Sequence, residues 1–212
     1  MLPVSGVLLS LLICGSLPFQ TPPIFQPGAP GAPARVITQS EAIDLGRTTF
    51  NAADVAFMQH MILHHGQAVE MVGLLQTRVA DETVRRLGDR IAASQAAEID
   101  LMQEWLNTRG QPIEMAGMSG MHTGHNMGDR AVMAGMLTPD QMTALAAASG
   151  STFDRLFLEG MIQHHRGALD MVDALNANPD AAEDPTLSDF ATSVVADQSA
   201  EILRMQSILS EL

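Results

Sequence analysis

Apolar and polar positions recur with a helical period in four long stretches of this chain. The first runs from about Asn51 to about Thr77 and the second from about Asp81 to about Asn107. The third runs from about Thr152 to Leu175, and the fourth from about Leu187 to the C-terminus. At about 100° per residue, Phe57, Ala68, Val72 and Leu75 fall within roughly 40° of Met61 on one helical face. His64 lies about 60° to one side of Met61 and His65 about 40° to the other, so both imidazoles flank the apolar face. Glu70, Gly66 and Leu63 point away. The second stretch turns Ile91, Gln95, Glu98, Ile99, Met102 and Leu106 inward, and the fourth Val194, Gln198, Glu201, Ile202, Met205 and Leu209.

These stretches are two copies of one unit. Met61-Ile62-x-His64-His65-x-x-Ala68-x-x-Met71-Val72 returns one hundred residues later as Met161-Ile162-x-His164-His165-x-x-Ala168-x-x-Met171-Val172. The Gln95/Glu98/Ile99/Met102/Leu106 face returns as Gln198/Glu201/Ile202/Met205/Leu209. Each copy, about 51–109 and 151–212, predicts a helical hairpin. One amphipathic hairpin cannot bury both of its faces, so two hairpins predict an all-α four-helix bundle with pseudo-twofold symmetry. Between them, residues 111–136 lack a helical period. A short extra helix follows, with Thr138 as N-cap, Pro139 at its first position and Gln141 completing a capping box. Gly150 is expected to end it.

The N-terminal quarter reads differently. Residues 1–17 hold an apolar run of about a dozen residues, too short to span a bilayer comfortably, and predict a secretory signal peptide. Two readings stay open for Cys14. It is a lipid-bearing cysteine after Leu11-Leu12-Ile13, which would anchor the chain to a membrane, or an incidental residue; Ile13, where a small residue is usual, favours the second. Residues 18–40, with Pro18, Pro22, Pro23, Pro27, Pro30 and Pro33, predict a disordered tether. The bundle domain is assigned to 41–212.

Composition narrows the function. The net charge is −13, from 24 acidic and 11 basic residues, and every basic residue is Arg. Nucleic-acid phosphates need a basic surface, so the balance argues against nucleic acid as a partner, and against anionic membrane surfaces as well. A soluble protein that meets cations fits the balance. The single cysteine makes no internal disulfide.

Sulfur and imidazole carry the candidate chemistry. Thioethers select soft ions such as Cu(I) and Ag(I), and imidazole tolerates copper. Met61, His64, His65 and Met71, with Met161, His164, His165 and Met171, are the candidate ligands in the helices. Glu98, Glu201, Gln95 and Gln198 are candidates to orient the imidazoles from behind. The same residues also suit a packed core in which Met fills gaps and each His is satisfied from the facing helix. The connection adds Met115, Met118, Met121, His122, His125 and Met127, which capture a soft ion if their Met-x-x-Met spacing wraps it. Six of the 15 Met and two of the seven His lie in residues 115–136, where Gly-rich sequence offers no core face. No Glu-x-x-His occurs, against the di-iron chemistry of ferritin-like bundles. Phosphate loops, serine elbows and Cys-x-x-Cys are absent too, and a non-catalytic protein is expected.

Taken together, these motifs resemble the bacterial family called domain of unknown function 305. Its signature joins M-[IV]-x-H-H-x-x-A-x-x-M to Q-x-x-E-I-x-x-M-x-x-W-L, here Met61–Met71 with Gln95–Leu106 and again Met161–Met171 with Gln198–Leu209. The resemblance covers about residues 50–212. It implies a secreted or periplasmic bundle of ferritin-like architecture without ferritin's iron site, and copper or silver binding in some relatives. Two departures stand out: Gly160 replaces His60, and Ile208 stands where Trp105 stands in the first copy. The resulting expectation is an envelope protein that sequesters Cu(I) through Met and His. The alternative is a structural or interaction module whose His–Glu pairs only specify packing.

Overall fold

The computed structural model describes residues 22–28, 31–45, 49–115 and 133–212. The expected signal peptide, with Cys14, lies outside the described residues. The chain divides into two compact units, Met1–Arg47 and Thr48–Leu212.

In the first unit, strands β1 (Ile24–Gln26) and β2 (Arg35–Ile37) pair antiparallel, with Phe25 opposite Val36. A helix α1 (Gln39–Leu45) follows. The stretch read as a disordered tether therefore contains secondary structure. Apolar β-formers at 24–25 and 36–37 carry the pairing, while Pro27 and Pro33 fall between the strands, where no ladder donor is needed.

The second unit is the four-helix bundle. Its elements are α2 (Ala52–Gly73), a short turn of helix α3 (Leu75–Arg78), α4 (Glu82–Thr108), α5 (Pro139–Ala147), α6 (Gly150–Asn176) and α7 (Pro185–Leu209). α2 packs on α4, α6 on α7, and the two hairpins meet chiefly through α2 and α6. The predicted first helix is interrupted at Leu74, which separates α2 from α3. Thr138, Pro139 and Gln141 form the expected capping box at the start of α5. Gly150 opens α6 with a φ of 64°, instead of closing α5, whose cap is Ala148.

Buried carboxylates set the helix starts. Asn51 and Asp54 build a reciprocal capping box on α2, and Asp54 also accepts the Ala182 N–H of the other hairpin at 2.8 Å. Its repeat partner Asp154 accepts the backbone N–H groups of Ala80 and Asp81 at 3.1 and 2.9 Å. Each hairpin's turn is thus tied to the other hairpin's first helix. Asp184 caps α7 through Leu187 and also accepts the Trp105 Nε1–H at 3.1 Å and the Arg109 guanidinium at 2.5 Å. Arg109 stacks 4.3 Å over the Trp105 ring. Ile208 has no such role, which accounts for the Trp/Ile difference between the copies.

The core comes as two apolar clusters related by the repeat. One gathers Ala68, Met71, Leu75, Ile91, Phe153, Phe157, Met161 and Met205. The other gathers Phe57, Met58, Met61, Met102, Trp105, Ala168, Val172 and Val194. Because α2 and α6 run antiparallel, the first half of each packs with the second half of the other. The residues between the halves are His64, His65, His164 and His165.

Candidate metal centre

Four imidazoles occupy the layer between the two apolar clusters, and all four are fully buried. His65 donates from Nε2 to Glu98 Oε2 at 2.5 Å, and His165 from Nε2 to Glu201 Oε2 at 2.7 Å. The expected Glu98 and Glu201 partnerships are therefore present. His64 and His164 turn instead to backbone carbonyls. His64 Nε2 donates to Ala134 at 3.0 Å, and His164 Nε2 to the carbonyl of His64 at 2.8 Å. A carbonyl or an ionised carboxylate only accepts, so the proton sits on Nε2 in each ring. In a neutral ring Nδ1 then carries a bare lone pair, and all four Nδ1 atoms are buried without a hydrogen-bond partner.

Electrostatics keeps the inner pair uncharged. Burial, reinforced by the neighbouring imidazole of His65, pushes the His64 pKa down to about 3. Burial and the adjacent His64 ring push His164 well below its ordinary value. Neutral imidazole is the form that ligates a metal.

The end of the connection is clasped over this layer. Gln67 takes both backbone groups of Leu137, receiving its N–H at 2.7 Å and donating to its carbonyl at 2.9 Å. Gln163 donates to the carbonyls of Gly135 and Met136 at 3.3 and 3.2 Å. Gly135 and Gly167 meet backbone to backbone: a Cβ on Gly167 would lie 2.0 Å from the Ala134 oxygen. Gly160 leaves room for Leu137 and Met71. At its other end the connection is held by Gln59, which donates to the Pro112 carbonyl at 2.7 Å. Gln59 and Gln67 stand eight residues apart on α2, so one helix holds Pro112 before the connection and Leu137 after it.

Placement of the remaining candidates is uneven. Met61 and Met161 are fully buried in opposite apolar clusters, Met71 shares the cluster of Met161, and half-buried Met171 packs against the cluster of Met61. These sulfurs thus fill the core on either side of the layer. Gln95 and Gln198 are buried but do not serve the imidazoles; Gln95 Oε1 and both amide atoms of Gln198 have no partner. Met115 is half-buried at the start of the connection, whereas Met118, Met121, His122, His125 and Met127 lie outside the described residues. Among the described residues, no three His, Cys, Asp or Glu side chains converge closely enough to hold one metal ion. Pairs do approach: the His64 and His164 rings are 3.8 Å apart between centroids. The Ala134 carbonyl, Gln67 and Gly167 were not foreseen from the sequence. The one visible sign was that Gln67 and Gly167 differ at the same repeat position.

Comparison with known proteins adds the following. The family model described as "Domain of unknown function (DUF305)" matches residues 54–209. Two solved structures are similar at 0.62 and 0.65 in TM-score. The first is a DUF305 protein of Streptomyces coelicolor proposed to be secreted, 32% identical over 75% of this chain and 93% of that one. The second is a DUF305 fragment from Deinococcus radiodurans, 31% identical over 77% and 99%. CopM in its Cu(II)-bound form is similar at 28% identity and TM-score 0.57, over 74% of this chain and 96% of CopM. CopM in Cu(I)-bound and Ag-bound forms is similar at 25% identity and TM-score 0.55. No curated protein matches this chain.

Proposed function

This chain belongs to the DUF305 family, and on that premise we propose that it is a cell-envelope protein that sequesters Cu(I) or Ag(I). Four buried Nδ1 atoms without partners are the observation that carries the reading. A buried polar atom left unpaired costs about 1–3 kcal/mol, and four in one layer of a repeated motif are unusual unless the layer has a ligand. A carboxylate or carbonyl on each Nε2–H is the support that fixes a ligating imidazole. CopM, which shares the fold, has been solved with Cu(I), Cu(II) and Ag.

In this reading the Met- and His-rich connection captures the ion. Met115, Met118, Met121 and Met127, with His122 and His125, supply the soft donors. The histidine layer is the deeper site, holding copper through pairs of Nδ1 atoms, and the two Met clusters keep it dry. The bound metal is cargo, so no catalytic step is assigned. An envelope location follows from the expected signal peptide and suits a protein that intercepts metal outside the cytoplasm.

One observation favours the second reading, a packing module in which the His–Glu pairs only specify the core: no triad of His, Cys, Asp or Glu converges among the described residues. Competition for Cu(I) against a chromogenic chelator separates the two. Sequestration requires that the protein withdraw Cu(I) from the chelator and that Met115→Leu/Met118→Leu/Met121→Leu/Met127→Leu weaken it, since Leu keeps the volume and removes the sulfur. A packing module leaves the chelator loaded, and metal does not raise the melting temperature.

A further inference from the structure

A cleft of about 360 Å³ opens between α4 and α7, lined by Thr83, Arg86, Leu87, Asp89, Arg90 and Arg204. Three of the chain's 11 basic residues meet here, although the protein as a whole carries −13. All three arginines are exposed. None makes an ion pair among the described residues, although Arg86 has the carboxylate of Asp81, the α4 cap, within electrostatic reach. Arg86 and Arg90 stand four residues apart on one helix, where like charges repel. Asp81 and Asp89 are the acidic groups set against these three guanidiniums.

The bundle does not require this arrangement. The repeat supplies an internal control, because the fourth helix matches the second one hundred and three residues on. Leu87 corresponds to Phe190, both buried, and Thr83 to Thr186. Arg86 corresponds to Asp189, Arg90 to Ser193 and Arg204 to Leu101. The apolar floor is kept at both repeat-related places, and these three arginines occur at one of them only.

We propose that this cleft binds a phosphate-type oxyanion, borne by a soluble phosphate compound or by an anionic lipid headgroup. Three guanidiniums against Asp89 in the lining and Asp81 beside Arg86 leave a net positive charge, which suits a phosphate group, anionic at neutral pH both as free phosphate and as a lipid phosphodiester. Guanidinium forks pair two-pronged with such oxygens. Thr83 adds a hydroxyl donor, and the volume lies in the range of small-ligand sites. This site does not depend on the metal reading.

The test uses the full chain, with inorganic phosphate and pyrophosphate titrated calorimetrically in one arm. In the other arm the protein is co-sedimented with vesicles of phosphatidylglycerol or of phosphatidylcholine alone. Arg86→Gln/Arg90→Gln/Arg204→Gln is the test variant. Arg35→Gln/Arg155→Gln/Arg166→Gln removes the same charge elsewhere on the exposed surface. Saturable phosphate binding, weakened at least about tenfold in the cleft variant and unchanged in the control, supports the soluble source. Selective sedimentation with phosphatidylglycerol that the cleft variant alone loses supports the headgroup. No binding in either arm, or equal losses in both variants, overturns the proposal; unchanged circular dichroism shows that both variants are folded.

Discussion

The imidazoles of His64 and His164 stack across the α2–α6 seam with centroids 3.8 Å apart and planes tilted by 35°. Each ring comes from the same position of a repeat, yet their partners differ. His164 donates to the backbone of His64, while His64 donates to Ala134 of the connection. The duplication thus gives two equivalent histidines, and the connection makes them unequal.

The pair should make the metal-free protein sensitive to acid. The folded pKa of His64 is lowered from 6.5 to about 3, and that of His164 is lowered as well. Below pH 6.5 the unfolded chain therefore binds protons that the folded chain refuses, and stability falls as pH falls toward the folded values. Each such histidine contributes up to about 1.4 kcal/mol per pH unit. Urea midpoints measured from pH 7 to 4 should drop, and less steeply in His64→Gln. Equal slopes in both proteins would show that His64 takes up no proton on unfolding.

The clasp should be strongly sensitive to one methyl group. Gly167→Ala places a Cβ about 2.0 Å from the Ala134 oxygen, and should cost on the order of 2 kcal/mol, the scale of overpacking in a tight site. Gly66→Ala, at the adjacent repeat position, meets nothing within 4 Å and should be neutral or stabilise the helix by up to about 1 kcal/mol. Chemical denaturation of both variants checks the contrast. Equal effects would mean that the backbone contact at Gly167 is not maintained in solution.

Asp184 should be among the costliest carboxylates to remove. It is fully buried, caps α7, and receives Trp105 and Arg109 of the other hairpin. Asp184→Ala removes a helix cap and leaves the indole N–H unpaired, a loss of roughly 3 kcal/mol. Trp105 is the chain's single tryptophan, so its fluorescence reports the same event directly. A variant with unchanged denaturation midpoint and emission would show that the Asp184 bonds are not formed.

Much of this architecture was legible in the residues. The repeat of M-I-x-H-H and Q-x-x-E-I-x-x-M dictates two hairpins, and helical spacing places His64, His65 and their repeats at the seam. Glu98 and Glu201 could be paired with imidazoles because a buried carboxylate and a buried imidazole each need a partner. Backbone partners could not be read. The Ala134 and His64 carbonyls carry no side-chain signature, and the close approach of Gly135 to Gly167 depends on how a loop returns to a helix. Side-chain direction misled in one respect: Met61 and Met161 lie on the same helical face as the histidines but point into separate apolar clusters. The strands β1 and β2 were hidden by the prolines around them.

Silver titration of protein carrying ¹⁵N-labelled histidine tests the metal reading most directly, because it observes the ring nitrogens themselves. Before metal, His64 and His164 should show Nε2 protonated and Nδ1 bare. On adding Ag(I), the Nδ1 resonances of these two rings should shift and saturate while Nε2 keeps its proton. Nδ1 signals that stay fixed for all four buried histidines at excess Ag(I) would contradict a metal-holding layer and leave it as packing alone.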